Sequence, residues 1–595
     1  MRTPPLESLL PVRLPLCYSL ALCLCYQVAF AQQPLDKAKQ GAPDVVLHNA
    51  QVVTVDKEFS IQQAVAISGE RIVAVGKDDQ VLRLAGPATK RIDLQGKTLL
   101  PGLIDSHVHA TAASMHEFDH TIPTMQTIED VLAYIKNRVD VVEAGEWITV
   151  SQVFVTRLDD QRFPNRNELD RVAPNNPVIF RTGPDAALNS MALKLSGIDK
   201  DFQLPEGING RIELDPTTGE LTGIVRSAEK FLKVPSSGKK SSDTDRTTQL
   251  KLLIADYNSV GITSISDRNA SDDGILVYES LKKTNELNCR VFLYYAINAA
   301  DSMDSINQKI RKAADSPLHT YNDRLWLRGV KVFLDGGMLT GSAYMQKPWG
   351  VSSVYGINDP EYRGVRYIDP EKLYAISKLA LSNDLQMTAH SVGDAAVELL
   401  VKTYETIDRD DFSVRDKRPC VTHCNFMSAD VIDTMARIGV VADLQPVWLW
   451  LDGATLLKQF GEQRMQYFQP YRSLFEKQVI IGGGSDHMQK IGSLRSVNPY
   501  NPFLGMWIAM KRETRSGSKL IHPEQLITRE QAIRLYTINN AWLSFEETQK
   551  GSIEPGKLAD MIVLETDILT CPLDQVKDIR VHQTFVGGKL VYQIP

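Results

Sequence analysis

The spacing of apolar and polar positions changes character twice along the chain. From 44 to 98, short β-branched runs (Val45-Val46-Leu47, Gln51-Val52-Val53-Thr54-Val55, Ala64-Val65-Ala66-Ile67, Arg71-Ile72-Val73-Ala74-Val75) are broken by Gly, Asn and Asp, which predicts the hairpins of a small β-sheet domain. From 99 to 541, an apolar strand is repeatedly followed by helical periodicity. The predicted strands are 100–107, 262–266, 290–296, 329–334, 386–390, 420–423, 440–444 and 479–483, with helices between them such as 395–404, 428–438 and 529–539. Eight strands alternating with helices predict an α/β fold, a (β/α)8 TIM barrel, whose reactive side chains sit where strands end. The strand pattern then returns over 551–564 and 584–592, with a Gly587-Gly588 hairpin. Neither chain end has enough strands for a core of its own, so the two ends are expected to complete one composite β-sandwich.

The predicted organisation is a signal peptide (1–31), a linker (32–43), an N-terminal sandwich segment (44–100), the barrel (101–541) and a C-terminal sandwich segment (542–595). The distance between the first two barrel strands is too long for one helix. Residues from about 111 to 242 are therefore expected to form an insertion over the barrel mouth, including 179–198 and the Gly- and Pro-rich stretch 205–223. At the N-terminus, Arg2 and Arg13 precede an apolar run over 14–29 and an Ala29-Phe30-Ala31 tail. These are the elements of a secretory signal, with cleavage expected after Ala31 and a secreted or periplasmic protein as the result. The run is short for a transmembrane span, although an uncleaved anchor is the alternative. Cys17, Cys23 and Cys25 leave with the signal, and Cys289, Cys420, Cys424 and Cys571 are too scattered for a disulfide framework. A net charge of -6 and a pI near 6.1 provide no overall basic field for nucleic acid or an anionic membrane, so the expected partner is a small molecule. A homodimer is left open.

The chemistry gathers at predicted strand ends. His107 and His109, one residue apart on a strand, face the same way, and two neutral imidazoles suit a divalent metal. Lys331, His390, His423 and Asp486 end other strands and would point into the same mouth. One buried histidine is ordinarily a satisfied core residue, whereas several converging with a carboxylate indicate a metal site. Two rival readings stand beside this one. His116-Glu117-Phe118-Asp119-His120 fits the H-E-x-x-H pattern of a zinc protease, but it falls where the chain should leave the mouth, on a segment expected to be a solvated helix, with no third ligand evident. A secreted binding protein that lost turnover is the other, and it would bury histidines and an aspartate without using them.

With these residues in view, the chain resembles the amidohydrolase superfamily, specifically its YtcJ-like branch, the amidohydrolase 3 family. The resemblance runs from about Asp44 to the C-terminus. It rests on Pro101-Gly102-Leu103-Ile104-Asp105-Ser106-His107-Val108-His109, Val330-Lys331-Val332-Phe333-Leu334-Asp335-Gly336-Gly337, Ala389-His390-Ser391-Val392-Gly393-Asp394, Thr422-His423-Cys424 and Ser485-Asp486. It implies a metal-holding barrel beside a sandwich formed by both chain ends. It also implies that His107, His109 and Asp486 hold one metal, that His390 and His423 hold a second, and that Lys331 bridges them as a carbamate. The alternatives are a Lys331 paired to a carboxylate such as Asp335, and a single metal held by His107, His109, His390 and Asp486. Zinc is the default ion, with iron or manganese also fitting.

The activity implied is hydrolysis of a non-peptide amide-type carbon–nitrogen bond by a metal-activated hydroxide, with Asp486 taking the proton and returning it to the leaving nitrogen. For the substrate, Gln445 and Trp448 at the end of strand seven are candidates for a carbonyl donor and an apolar wall, with core tryptophan the alternative. Arg268 and Asn269 after strand two, and Asp394 after the His390 strand, are candidates either for substrate contact or for helix capping. In the insertion, Asp185 stands where the similar family segment usually has His, which would favour a donor-rich or cationic group.

Overall fold

The computed structural model describes residues 41–595 except 152, 205–209, 230–231, 233, 235–238 and 518. The predicted signal peptide and nearly all of the linker lie outside the described residues. Eight parallel strands follow one another in chain order around a sheet: Leu103–Val108, Ile262–Ala270, Arg290–Ala296, Leu325–Phe333, Gln386–Ser391, Cys420–His423, Val441–Leu444 and Ile481–Gly483. The sheet closes where Val108 bridges His487 in parallel, His109 N donates to His487 O (2.8 Å) and Asp486 N donates to His107 O (2.8 Å). The glycines at the end of the last strand allow this approach, since a Cβ on Gly484 would lie 2.8 Å from His107 N and Cβ. Strand ends one and eight are thereby fixed side by side.

The predicted first strand is in fact two. Thr98–Pro101 belongs to the sandwich, where it pairs antiparallel with Met561–Leu564, and the barrel strand begins only at Leu103. Gly102 makes the passage, and a Cβ there would meet Thr263 Oγ1 at 2.2 Å. Every residue from Thr98 to Pro101 and from Leu103 to Val108 is buried, so one apolar run spans two sheets. The Thr98–Pro101 pairing brings both chain ends into one six-stranded sheet, ordered Lys589–Gln593, Val581–Val586, Met561–Leu564, Thr98–Pro101, Gln51–Val53, Ile61–Gln62. A four-stranded sheet of N-terminal strands shares its core, in which Leu47, Val65, Leu99, Val563 and Phe585 pack together.

Arg290, at the start of the third barrel strand, makes two hydrogen bonds to Asp560 (2.6 and 2.9 Å), which also accepts from Gly587 N (2.7 Å). Burial alone would raise the Asp560 pKa, but the Arg290 guanidinium and these hydrogen bonds outweigh it and hold the carboxyl below its usual range. Asp560→Asn removes the one fully buried counter-charge of Arg290, leaving only the more exposed Glu70 (3.4 Å) and Asp323 (3.7 Å), and is expected to cost about 3 kcal/mol. Because the folded-state pKa is depressed, this stability is complete above the ordinary carboxylate range and is lost as pH falls through the folded-state value. Thermal melts of both proteins should therefore differ widely at pH 7 and converge on strong acidification.

The insertion builds a third sheet of five strands, Arg211–Leu214, Leu221–Arg226, Asp185–Leu188, Val178–Thr182 and Ile148–Ser151. It has its own core, in which Val131, Ile135, Val150, Leu169 and Phe180 pack under helix Ile128–Val139. The predicted helix over 529–539 is two helices, Arg529–Leu535 and Ile538–Leu543, parted where Thr537 leaves helical dihedrals (φ -131, ψ -101) and its hydroxyl turns back to Ile533 O. Strand seven ends at Leu444. Pro446 opens a helical segment that reaches Met465 with a break at Gly461 (φ +72), so Trp448 and Trp450 are helical residues rather than strand-end residues. The cysteines Cys289, Cys420, Cys424 and Cys571 are buried and unbridged. Among the described residues no helix is long and apolar enough to cross a membrane.

Candidate metal centre

His107, His109 and Asp486 converge at the seam between strands one and eight. Asp486 Oδ1 lies 3.3 Å from His107 Nε2 and 3.1 Å from His109 Nε2, with all three candidate ligand atoms within 4.8 Å of one another. That oxygen is buried and has no hydrogen-bond partner. An orphaned carboxylate oxygen facing two imidazole nitrogens is the donor set a divalent cation would satisfy. Asp486 adopts a left-handed backbone (φ +54), as do His423 (φ +79) and Cys424 (φ +44). Such strain in non-glycine residues costs on the order of 1 kcal/mol or more each and gathers at functional sites.

His423 faces His390 across 4.4 Å between ring centroids, and stacks on His107 at 5.0 Å and on Trp448 at 4.6 Å. Its Nδ1 donates to Gln445 Oε1 (2.7 Å), leaving Nε2 as the lone-pair nitrogen. Burial first, then neighbouring cations, pushes the His107 and His423 pKa values well below the ordinary imidazole value and that of His390 to about 3. All three are neutral, as metal ligands must be. Lys331 Nζ lies 3.4 Å from His107 Nε2. The predicted alternative pairing of Lys331 with Asp335 is not formed, because Asp335 is occupied by three backbone N–H groups, from Tyr344, Val392 and Gly393. Burial, reinforced by Arg268 and opposed by Asp486 and Asp443, brings the Lys331 pKa down to about 8.

Beneath these ligands is a residue that strand-end positions do not reveal. Asp443, fully buried in strand seven, accepts from Ser106 Oγ (2.6 Å) and from His107 Nδ1 (2.9 Å), and lies 3.1 Å from Arg268 Nε. Its signal in the sequence is a lone charge inside the apolar strand Val441-Ala442-Asp443-Leu444. His109, Lys331, His390, His423 and Asp486 open onto a cavity of about 520 Å³, walled also by Phe154, Asn269, Trp448 and the insertion residues Gly183 and Pro184.

The profile of the amidohydrolase family matches residues 90–592, most of the chain. The chain belongs to the amidohydrolase family. The N-substituted formamide deformylase of Arthrobacter pascens is 28% identical over 92% of this chain and 98% of its own length. The Arabidopsis thaliana protein LONG AFTER FAR-RED 3 is 26% identical over 92% of this chain and 91% of its own. An uncharacterized metal-dependent hydrolase from Pyrococcus horikoshii shares the fold, with a TM-score of 0.65 and 21% identity, covering 89% of this chain and 99% of that one.

Several residues expected to meet substrate in this amidohydrolase do other work. Arg268 is fully buried below the ligands, donating to Ser106 O (2.6 Å) and Thr422 Oγ1 (3.2 Å), so it supports the barrel floor. Gln445 is likewise buried and orients His423. Replacing it with leucine is expected to weaken metal affinity 10–100-fold, measurable by competition with a chromogenic chelator, while Gln445→Glu retains the acceptor. Asp394 opens the helix Asp394–Asp410 and accepts from Gln346 N (2.8 Å), away from the cavity lining. Asp185 binds Arg226 (3.2 Å) and Ser227 N (2.8 Å) in a separate cavity of about 160 Å³, which places it outside the metal cavity's wall. Trp448 and Asn269 do line that cavity. The H-E-x-x-H stretch forms no helix, since Ala110–Met115 ends just before it. Glu117 is held by Arg495 (2.5 and 2.8 Å) and His120 by Tyr134 and Asp119, so the pattern has neither the spacing nor the free base of a protease.

Proposed function

We propose that this amidohydrolase is a divalent-metal enzyme that cleaves a non-peptide amide-type carbon–nitrogen bond in a small molecule, with formamides the first class to try. The observation that carries this reading is the unpartnered Asp486 Oδ1 facing the Nε2 atoms of His107 and His109. These three residues would hold one cation. His390 and His423 would hold a second, with Lys331 between the two groups as a carbamate, for which a pKa lowered to about 8 makes the neutral amine more accessible than in an ordinary lysine. A bound divalent ion supplies Lewis acidity toward water and the substrate carbonyl. The chain does the rest. Asp486 offers its second oxygen, Oδ2, to take a proton from the attacking water and return it to the leaving nitrogen, because an amine anion leaves poorly. Trp448 and Phe154 give the acyl or amine substituent an apolar surface and exclude water.

The similarity to a formamide deformylase over nearly its whole length supports formamides as first substrates. The test is protein purified without added metal, assayed for bound metal and then supplied with zinc, manganese or iron(II) against a panel of N-substituted formamides and acetamides. Metal-dependent release of formate or acetate is expected, and a fully loaded protein that turns over no amide in the panel would overturn the reading. We further propose export with cleavage after Ala31, supported by Arg13 ahead of the apolar run 14–29. N-terminal sequencing of the mature protein should then begin at Gln32.

A further inference from the structure

Beside the metal cavity lies a second recess of about 280 Å³, and Phe154 walls both. Arg157, Lys490, Arg495 and Arg515 line it, and no carboxylate does among the described lining residues. Two of these cations are already neutralised from behind. Arg157 is held bidentately by Asp452 (2.9 and 2.7 Å) and Arg495 by Glu117. The other two have no carboxylate in direct contact among the described residues, Lys490 sharing only the field of the Glu117 that Arg495 holds. Lys490 is 5% exposed, and its Nζ has one hydrogen-bond partner, Pro123 O (2.9 Å). Arg515 donates to Arg157 O (3.3 Å), and neither it nor Lys490 forms an ion pair among the described residues.

Three further polar atoms of lining residues, Gln489 Nε2 and the two ring nitrogens of His116, are buried without partners. Burial, opposed by the Glu117 carboxylate that Arg495 already engages and reinforced by Arg495 itself, lowers the Lys490 pKa, as expected for an ammonium only partly compensated. The remaining walls are apolar, with Ile122, Val153, Leu158, Trp450 and Leu451 among them. A buried cation held against hydrocarbon, with donors left over, has one chemical complement: an anion carried on an apolar body.

We propose that this recess binds the carboxylate of a small amphiphilic molecule, through Lys490 and Arg515. The carboxylate has two candidate sources, the far end of a substrate whose amide lies at the metal centre past Phe154, or a separate ligand. The proposal rests on the metal-centre reading only for the kinetic arm of its test. The binding arm titrates hexanoate into the metal-loaded parent, Lys490→Gln and Arg515→Gln by calorimetry. Each variant is expected to bind hexanoate at least tenfold more weakly than the parent. No binding by the parent, or equal affinity in all three, overturns the proposal. Arg515 is exposed, so its variant remains informative if Lys490→Gln fails to fold.

The kinetic arm compares N-formyl-6-aminohexanoate with N-formylhexylamine. A preference for the anionic substrate, expressed in KM and abolished in Arg515→Gln, assigns the recess to the substrate's own tail. Hexanoate altering the rate on N-formylhexylamine without competing, an effect lost in Arg515→Gln, assigns it to a separate ligand. If neither formamide is hydrolysed, that substrate reading of the metal centre fails, while the hexanoate titration still decides the recess.

Discussion

Asp486→Asn is expected to lower turnover by about 10²–10⁴-fold, the usual contribution of a positioned proton carrier, while leaving most of the bound metal in place. The substitution is unusually clean at this position. Asp486 sits at φ +54, and asparagine is among the few residues that tolerate the left-handed region as well as aspartate does, so the backbone need not move. The amide still presents an oxygen where Oδ1 now faces His107 and His109, and it loses the negative charge and the capacity to accept and return a proton. The check is kcat on the best amide found, alongside metal content by mass spectrometry and a thermal melt. A variant that keeps its metal and hydrolyses at the parent rate removes Asp486 from the chemistry, and the proton must then travel by another group. Loss of metal together with activity would instead show that the charge is needed to bind the ion.

How far the sequence leads can be judged at particular residues. The barrel strands are readable because parallel strands covered on both faces are rich in apolar residues, and a polar residue at the end of such a run marks the mouth. His390, His423 and Asp486 are found in that way, while Lys331 lies two residues inside strand four and stands out as its one lysine, and the structure brings all four to one cavity with His109. The same rule fails at Gly102, where two buried strands of different sheets abut and composition does not change across the turn. It fails again at Asp443, which lies inside a strand, so its partners Ser106, His107 and Arg268 are distant in sequence and only barrel closure brings them near. Arg268 misleads for a related reason, since a charge after a strand looks equally suited to substrate or to a buried counter-ion. Asp185 is singled out by a departure at one position, and its partner Arg226 lies 41 residues away on the neighbouring strand of the inserted sheet.

Asp443 carries the second large expected effect, and it acts entirely through other residues. As a carboxylate it can only accept, so it fixes the His107 proton on Nδ1 and leaves Nε2, the atom facing Asp486 Oδ1, with its lone pair. Asparagine there can turn its NH2 toward Nδ1, which drives the proton to Nε2 and spoils the ligand. Metal affinity is therefore expected to fall 10–100-fold in Asp443→Asn, the range typical of residues behind a metal-bound histidine. Stability should fall as well, by about 3–5 kcal/mol, because Arg268 is fully buried and loses its counter-charge. The two effects are separable. Ser106→Ala removes one donor to Asp443 but leaves its charge and its bond to His107, so it should reduce stability modestly and spare the metal. If Asp443→Asn melts earlier yet binds metal as tightly as Ser106→Ala at a temperature where both are folded, Asp443 serves only to neutralise Arg268. A metal affinity that drops in Asp443→Asn alone would mean that the tautomer of His107, set from strand seven, governs the ligand on strand one.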